Sequence, residues 1–414
     1  MGRLSWFGRI ACVAILSTAV SAQEAERIVL RVQEPIGVQR DAVPVHTILK
    51  LKRSVNARTP FRLLRNGRPL VAQFRPHHLT TTAAPGPTKA GETDWFWLDF
   101  LARSELNQIV EYVVEYGAGV VPSPERMRGH KLVASDDAFV VTHAPYIEWT
   151  VPRDLQGLLR SVNFNPVEHL QTDSVGLSLR DRDGRTHQLG GRNVSSRVIR
   201  QGRMTVALRF ENTDHMPELD GVDWTADLVF PGPVSWVEVQ LKIDDPNHRV
   251  SEVDLQLKLK LDPPTSAQRT LVELGAGRTV YRALAGDGRV ELRADARRTD
   301  GIWRVMRGND SVLRPFAVAG PKSRVAEGWA HVMDRQRCLA IAFDKFGRDA
   351  AERLGVEAAG TVTASKRWPS SGRPAAASKE WRFWLHFVHF PPQQSASTDP
   401  HMMQHPLRVQ QVTP

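Results

Sequence analysis

The run Lys379–Pro392, KEWRFWLHFVHFPP, decides how the rest of the chain is read. In an extended chain, successive side chains point to opposite faces. Trp381, Phe383, Leu385 and Phe387 therefore share one face, while Arg382, Trp384, His386 and Val388 share the other. No helical stripe fits the run, and Pro391–Pro392 stop it. A strand so apolar on one face must lie under a second sheet, which puts it at the centre of a β-sandwich. The opposite face lines up a cation, an indole and an imidazole, a composition that suits a sugar ring.

Outward from that strand the chain reads as all-β. Its 414 residues exceed one ordinary domain, so two β-domains are expected. Residues 23–117 read as a small N-terminal β-domain and 131–392 as a large antiparallel β-sandwich. The segment 118–130, within the Pro-bearing stretch Gly117–Arg128, joins them, and 393–414 has no periodicity and reads as a tail. Asn66-Gly67 marks a tight hairpin between Phe61–Leu64 and Pro69–Phe74. His77–Gly91 is a loop, and Asp94–Phe100 and Ile109–Tyr116 are strands. Asp181-Arg182-Asp183-Gly184 could be a fragment of a calcium loop, but it lacks the other ligands and fits a hairpin turn. Val250–Leu261 alternates cleanly, with Lys258 and Lys260 on its wet face. Asp344–Arg353 is the one segment that reads as a helix.

Met1–Ala22 has the form of a secretory leader. Arg3 and Arg9 precede a short apolar core, and Val20-Ser21-Ala22 supplies the small residues before a cut at Gln23. Export to a secreted or periplasmic location is therefore expected, with no integral membrane segment in the mature chain. Cys338 is then the single mature cysteine, so no intramolecular disulfide forms, and RCLAIAF around it reads as a buried strand. The net charge of +10 has two readings. One is a dispersed excess that keeps the protein soluble; the other is a partner that is polyanionic, such as an acidic polysaccharide or cell-wall polymer. Nucleic acid is not expected, because no basic helix or single-strand-binding motif is present.

No His-Glu-x-x-His, Cys-x-x-Cys, Gly-x-Ser-x-Gly or phosphate-cradling glycine loop occurs, so no cofactor and no metal are expected. His386 and His389 lie three apart and in a strand face opposite ways, so they cannot share a metal without a bulge. The candidate substrate-binding residues are Arg382, Trp384, His386, His143 and Tyr146. His386 has two readings, a satisfied half-buried imidazole or a substrate-facing base or donor; Trp384 is either core or a sugar platform. For elimination from an acidic polymer, a cation neutralises the carboxylate and a His, Lys or Tyr removes the adjacent proton. Hydrolysis would need two carboxylates roughly 5 to 9 Å apart, and no acidic pair stands out.

Several blocks carry a resemblance. FRLLRNGRPLVAQFR at Phe61–Arg75, followed by DWFWLDF at Asp94–Phe100, is similar to the N-terminal β-domain of the YetA-like and exo-rhamnogalacturonan-lyase-like proteins. GWAHVMD at Gly328–Asp334, LAIAFDKF at Leu339–Phe346, RWP at Arg367–Pro369 and KEWRFWLHFV resemble that family's central sandwich. The resemblance implies a mutarotase-like supersandwich and a polysaccharide-related function, with lyase-like degradation or non-catalytic carbohydrate binding at the cell envelope as the alternatives. It also implies a helical toroid after the sandwich, and this sequence ends at Pro414 before one.

Overall fold

The computed structural model describes residues 25–77, 91–106, 108–124, 128–143, 146–213, 219, 221–262, 269–295, 297, 302–309, 312–319, 326–369, 377–389 and 398–412. The expected leader, most of the 77–91 loop and Pro391–Pro392 lie outside them. The chain is all-β, and its strands pair antiparallel throughout. Two large sheets form the sandwich. One has nine strands and carries Ser378–His389 at its middle, between Trp236–Asp244 and Arg337–Phe343. The other has eight strands, with Val250–Lys258, Thr361–Arg367, Ala351–Glu357 and Gly288–Ala294 adjacent at its centre.

Alternation explains why the two sheets stack. Trp381, Phe383, Leu385 and Phe387 all point into one core, where they meet Leu354, Val356, Val362 and Val253 from the eight-stranded sheet. Phe343 stacks on Trp381 with ring centroids 5.4 Å apart. Each fully buried large side chain contributes roughly 1.5–3 kcal/mol by leaving water. A second core belongs to the N-terminal domain. There Glu26–Gln33, Ile109–Tyr116 and Phe61–Arg65 form a sheet over the three-stranded sheet built on Arg40–Asn56 and Glu92–Ser104. The Asn66-Gly67 hairpin forms as expected, with φ of 50° and 73° at its two central residues.

Two sequence expectations are corrected. Asp344–Arg353 is not a helix: Lys345 and Gly347 take φ of 51° and 68°, which a right-handed helix does not tolerate, and Ala351–Glu357 is a strand. The 393–414 segment is not a featureless tail either. Thr398–Gln404 is a short helix, and Arg408–Val412 adds an edge strand to the N-terminal sheet by pairing with Glu26–Gln33.

The N-terminal domain is fixed to the sandwich by buried polar groups. Asp99 accepts hydrogen bonds from Arg200 Nη1 at 2.9 Å and Thr205 Oγ1 at 2.9 Å. Arg200 also lies over the Trp97 ring. Further along the joint, Glu238 accepts from Arg382 Nε at 2.8 Å, from Trp384 Nε1 at 3.2 Å and from Gln240, and His46 Nε2 of the N-terminal domain lies 3.6 Å away. Burial works to raise the Glu238 pKa, but the Arg382 guanidinium and these donors outweigh it and hold it at about 2.

That depressed value has a stability consequence. Glu238 contributes stability in full above its unfolded value of 4.5, and the contribution is lost as the pH falls toward 2. Glu238→Gln should lower the unfolding free energy by about 2 kcal/mol at neutral pH. In denaturant titrations the gap to the wild type should close as the pH drops below about 4. A gap that stays constant down to acid pH would show that the carboxylate charge is not what holds this joint.

Candidate functional site

Where the joint ends, a cleft of about 510 Å³ opens between the N-terminal domain, the sandwich and the C-terminal helix. Its walls come from four places in the chain. Ala138–His143 and Ile147–Pro152 form a hairpin whose end pairs His143 with Ile147 and leaves Tyr146 in the turn, 54% exposed. Phe164 closes the neighbouring strand, opposite Ile147. Trp236 begins its strand three residues after Pro233 and stands opposite His386 in the sheet register. Gln39–Pro44 of the N-terminal domain and Met402 of the helix close the remaining side.

Three of the five sequence candidates therefore meet here: His143, Tyr146 and His386 all line the cleft. Trp236, Ser235 and Phe164 join them, and sequence reading missed all three. The signal was Pro231-Gly232-Pro233, a strand breaker set just before an indole. His386 and Trp236 meet edge to face with centroids 5.5 Å apart, and His386 Nε2 shares a 2.9 Å hydrogen bond with Ser235 Oγ. Burial, aided by His331, pushes the His386 pKa down to about 3, so the ring is neutral at physiological pH.

The charged residues of the cleft are already engaged. Arg40 is buried, ion-paired with Glu34 at 2.7 Å, and donates to the carbonyls of Met402 and His405. Asp41, the one carboxylate among the described lining residues, pairs with Arg103 at 2.6 Å. What remains is an apolar, aromatic-walled recess with a hydroxyl and imidazoles at its edge. That arrangement can hold a ring through its faces and orient its hydroxyls.

Arg382 and Trp384 are elsewhere, and the expected open face of their strand is corrected. Trp384 is 2% exposed, packed with Trp329, Ala340, Ala342 and Met403, and it donates to Glu238. Met403 of the C-terminal helix and the Arg382 guanidinium, 4.8 Å from the ring centroid, cover it, so no indole platform is presented at 384. Arg382 spends its Nε on Glu238 and borders a separate basin of about 800 Å³, together with Lys366, Trp368 and Lys379. Lys379 is itself buried against Asp245. Among the described residues, no group of three or more His, Cys, Asp or Glu side chains is arranged to hold a metal ion.

No family model matches the chain, and no curated protein matches it in sequence. Solved structures do match its fold. A protein of glycosyl hydrolase family 38 from Enterococcus faecalis aligns with a TM-score of 0.54 at 9% identity, over 94% of this chain and 47% of that one. An alpha-mannosidase from Enterococcus faecalis aligns with a TM-score of 0.51 at 10% identity, over 94% and 46%. A galactose mutarotase-like protein from Lactobacillus casei gives a TM-score of 0.34 at 9% identity, over 63% of this chain and 100% of that one. The chain spans about half the length of the first two structures, and at these identities the likeness is one of fold.

The burial of His386 can be tested by NMR. The unfolded chain takes up this proton near 6.5 and the folded chain only near 3, so His386 withdraws stability as the pH falls between those values. Its imidazole resonances should stay flat between about pH 5 and 8. A midpoint near 6.5 would mean the ring is open to water.

Proposed function

We propose that the chain is an exported carbohydrate-binding protein whose cleft receives a sugar ring against Tyr146 and Trp236. The observation that carries this reading is the convergence of Tyr146, Trp236, Phe164, Ser235, His143 and His386 in one cleft of about 510 Å³. Aromatic faces bury the C–H faces of a sugar, and a few polar groups at the edge fix its hydroxyls. The fold shared with carbohydrate-active structures and the resemblance to the exo-rhamnogalacturonan-lyase-like proteins point the same way.

Binding rather than bond cleavage fits this cleft. Its single carboxylate, Asp41, is paired with Arg103, so the two-carboxylate arrangement of a glycoside hydrolase has no counterpart among its described lining residues. Elimination would need a free cation to neutralise a uronate, and Arg40 is committed to Glu34. We further propose that the natural glycan is an acidic polysaccharide, in keeping with the net charge of +10.

The test is a titration of the full chain with a panel of neutral and acidic oligosaccharides, followed by calorimetry and tryptophan fluorescence. At least one should bind and shift the Trp emission. Tyr146→Ala, at an exposed turn, should leave the melting temperature unchanged and weaken binding about tenfold, and Trp236→Ala should weaken it at least as much. A panel in which no sugar's binding is weakened by either substitution, or in which no sugar binds, would overturn the assignment.

A further inference from the structure

The other outer face of the sandwich, on the eight-stranded sheet, carries a feature that the cleft does not use. In-register pairing sets six side chains in one row across six adjacent strands: Ser178, Asp254, Ser365, Arg353, Arg293 and Arg304. Their sequence neighbours Leu177, Val253, Ala364, Leu354, Leu292 and Val305 all lie in the core, so the six point outward. At about 4.8 Å between strands the row runs roughly 24 Å. Like charges directly opposite one another in a sheet destabilise it, yet three arginines stand side by side here. Arg353 is exposed and acts electrostatically on Asp254, while Arg293 beside it is ion-paired with Glu291.

Around Asp254 and Arg353 the face is hollowed into a groove of about 570 Å³. Asp254 Oδ2 is buried, takes no hydrogen bond, and lies 3.7 Å from Arg180 Nη2. Burial, with Glu252 beside it, raises the Asp254 carboxyl to about 6. Glu252 and Glu291 are buried in the same groove, each near an arginine: Arg367 at 4.0 Å and Arg289 at 3.2 Å. Gly355 keeps the floor low between them, since a Cβ there would press on Thr363 Oγ1 at 2.8 Å. The groove thus offers an exposed guanidinium beside carboxylate and hydroxyl acceptors.

We propose that this groove binds a chain of acidic sugars, with Arg353 taking a uronate carboxylate in a forked ion pair while Asp254 and the flanking serines accept sugar hydroxyls. A ligand with both groups is what the mixed lining selects. A nucleic acid also offers flat bases, and no aromatic side chain lines the groove to stack them. The site deepens the carbohydrate reading but stands on a different sheet from the Trp236 cleft, so each can fail alone.

The experiment is affinity electrophoresis and calorimetry of the full chain with polygalacturonate and alginate, with double-stranded DNA as a competing polyanion. The wild type should bind a uronate polymer, and binding should weaken as salt rises. Arg353→Ala should lose about tenfold or more in affinity, and Arg353→Lys, which keeps the charge but not the fork, should fall between. Because Arg353 is exposed, the melting temperature of Arg353→Ala should stay close to that of the wild type, so a loss of binding is read separately from a loss of fold. Trp236→Ala should leave polymer binding by this groove intact. Equal affinity in wild type and Arg353→Ala, a lowered melting temperature with unchanged binding, no uronate binding at all, or tighter binding of DNA than of either uronate polymer would each overturn the proposal.

Discussion

A single buried carboxylate governs how this molecule presents its surfaces. Glu238 stands in the outer face of the nine-stranded sheet, directly opposite Trp384, and is almost wholly removed from water. A charge in that position is tolerable only when its oxygens are filled by donors. Arg382, Trp384 and Gln240 fill them, and His46 closes over the top from the N-terminal domain. The groups that would have formed an open sugar platform are thereby consumed. A cation, an indole and a sheet face that could have met a ligand become a joint between two domains instead.

The joint also sets where a ligand can enter. Two residues further along the same strand, roughly 7 Å on, His386 lies beyond the reach of Glu238 and faces Trp236 and Ser235. There the cover consists of a loop and one turn of helix rather than a packed sheet, and it leaves a cleft. The helix is held in place from below: Arg40, locked to Glu34, donates to the carbonyls of Met402 and His405. The shape of the cleft therefore depends on an ion pair set into its own wall.

The period-two reading of Trp381, Phe383, Leu385 and Phe387 was legible in the sequence because a two-layer core imposes alternation on any strand at its centre. The other face of the same strand was not legible. Whether Trp384 meets water is decided by Met403, nineteen positions later, and by Trp329 and Glu238, far earlier in the chain, and local sequence carries none of these facts. The reading of a helix at Asp344–Arg353 failed for a local reason: Lys345 and Gly347 adopt left-handed backbone, and a Cβ on Gly347 would meet Ala294 at 2.3 Å. His143, Tyr146 and His386 were chosen for their chemistry; their convergence depends on sheet register, which links Trp236 to His386 across 150 positions.

Register is also what separates the two readings of the basic charge. The nine-stranded sheet also sets arginines opposite one another, as Arg197 and Arg209 are, and there each has an acid beside it, Glu211 and Asp227. In Leu292-Arg293-Ala294, Trp303-Arg304-Val305 and Glu352-Arg353-Leu354 the alternation of arginine with core residues is visible in sequence, but nothing there aligns the three. Pairing in the sheet aligns them, and acids were close enough to prevent it: Glu291 and Glu252 sit in the adjoining rows. The row sets three guanidinium groups abreast, with Glu291 beside Arg293, and a slip of one residue cannot part them because it would turn the core face outward. Under the proposal made for this groove, an anion lying across the row would add to the compensation that Glu291 already gives Arg293.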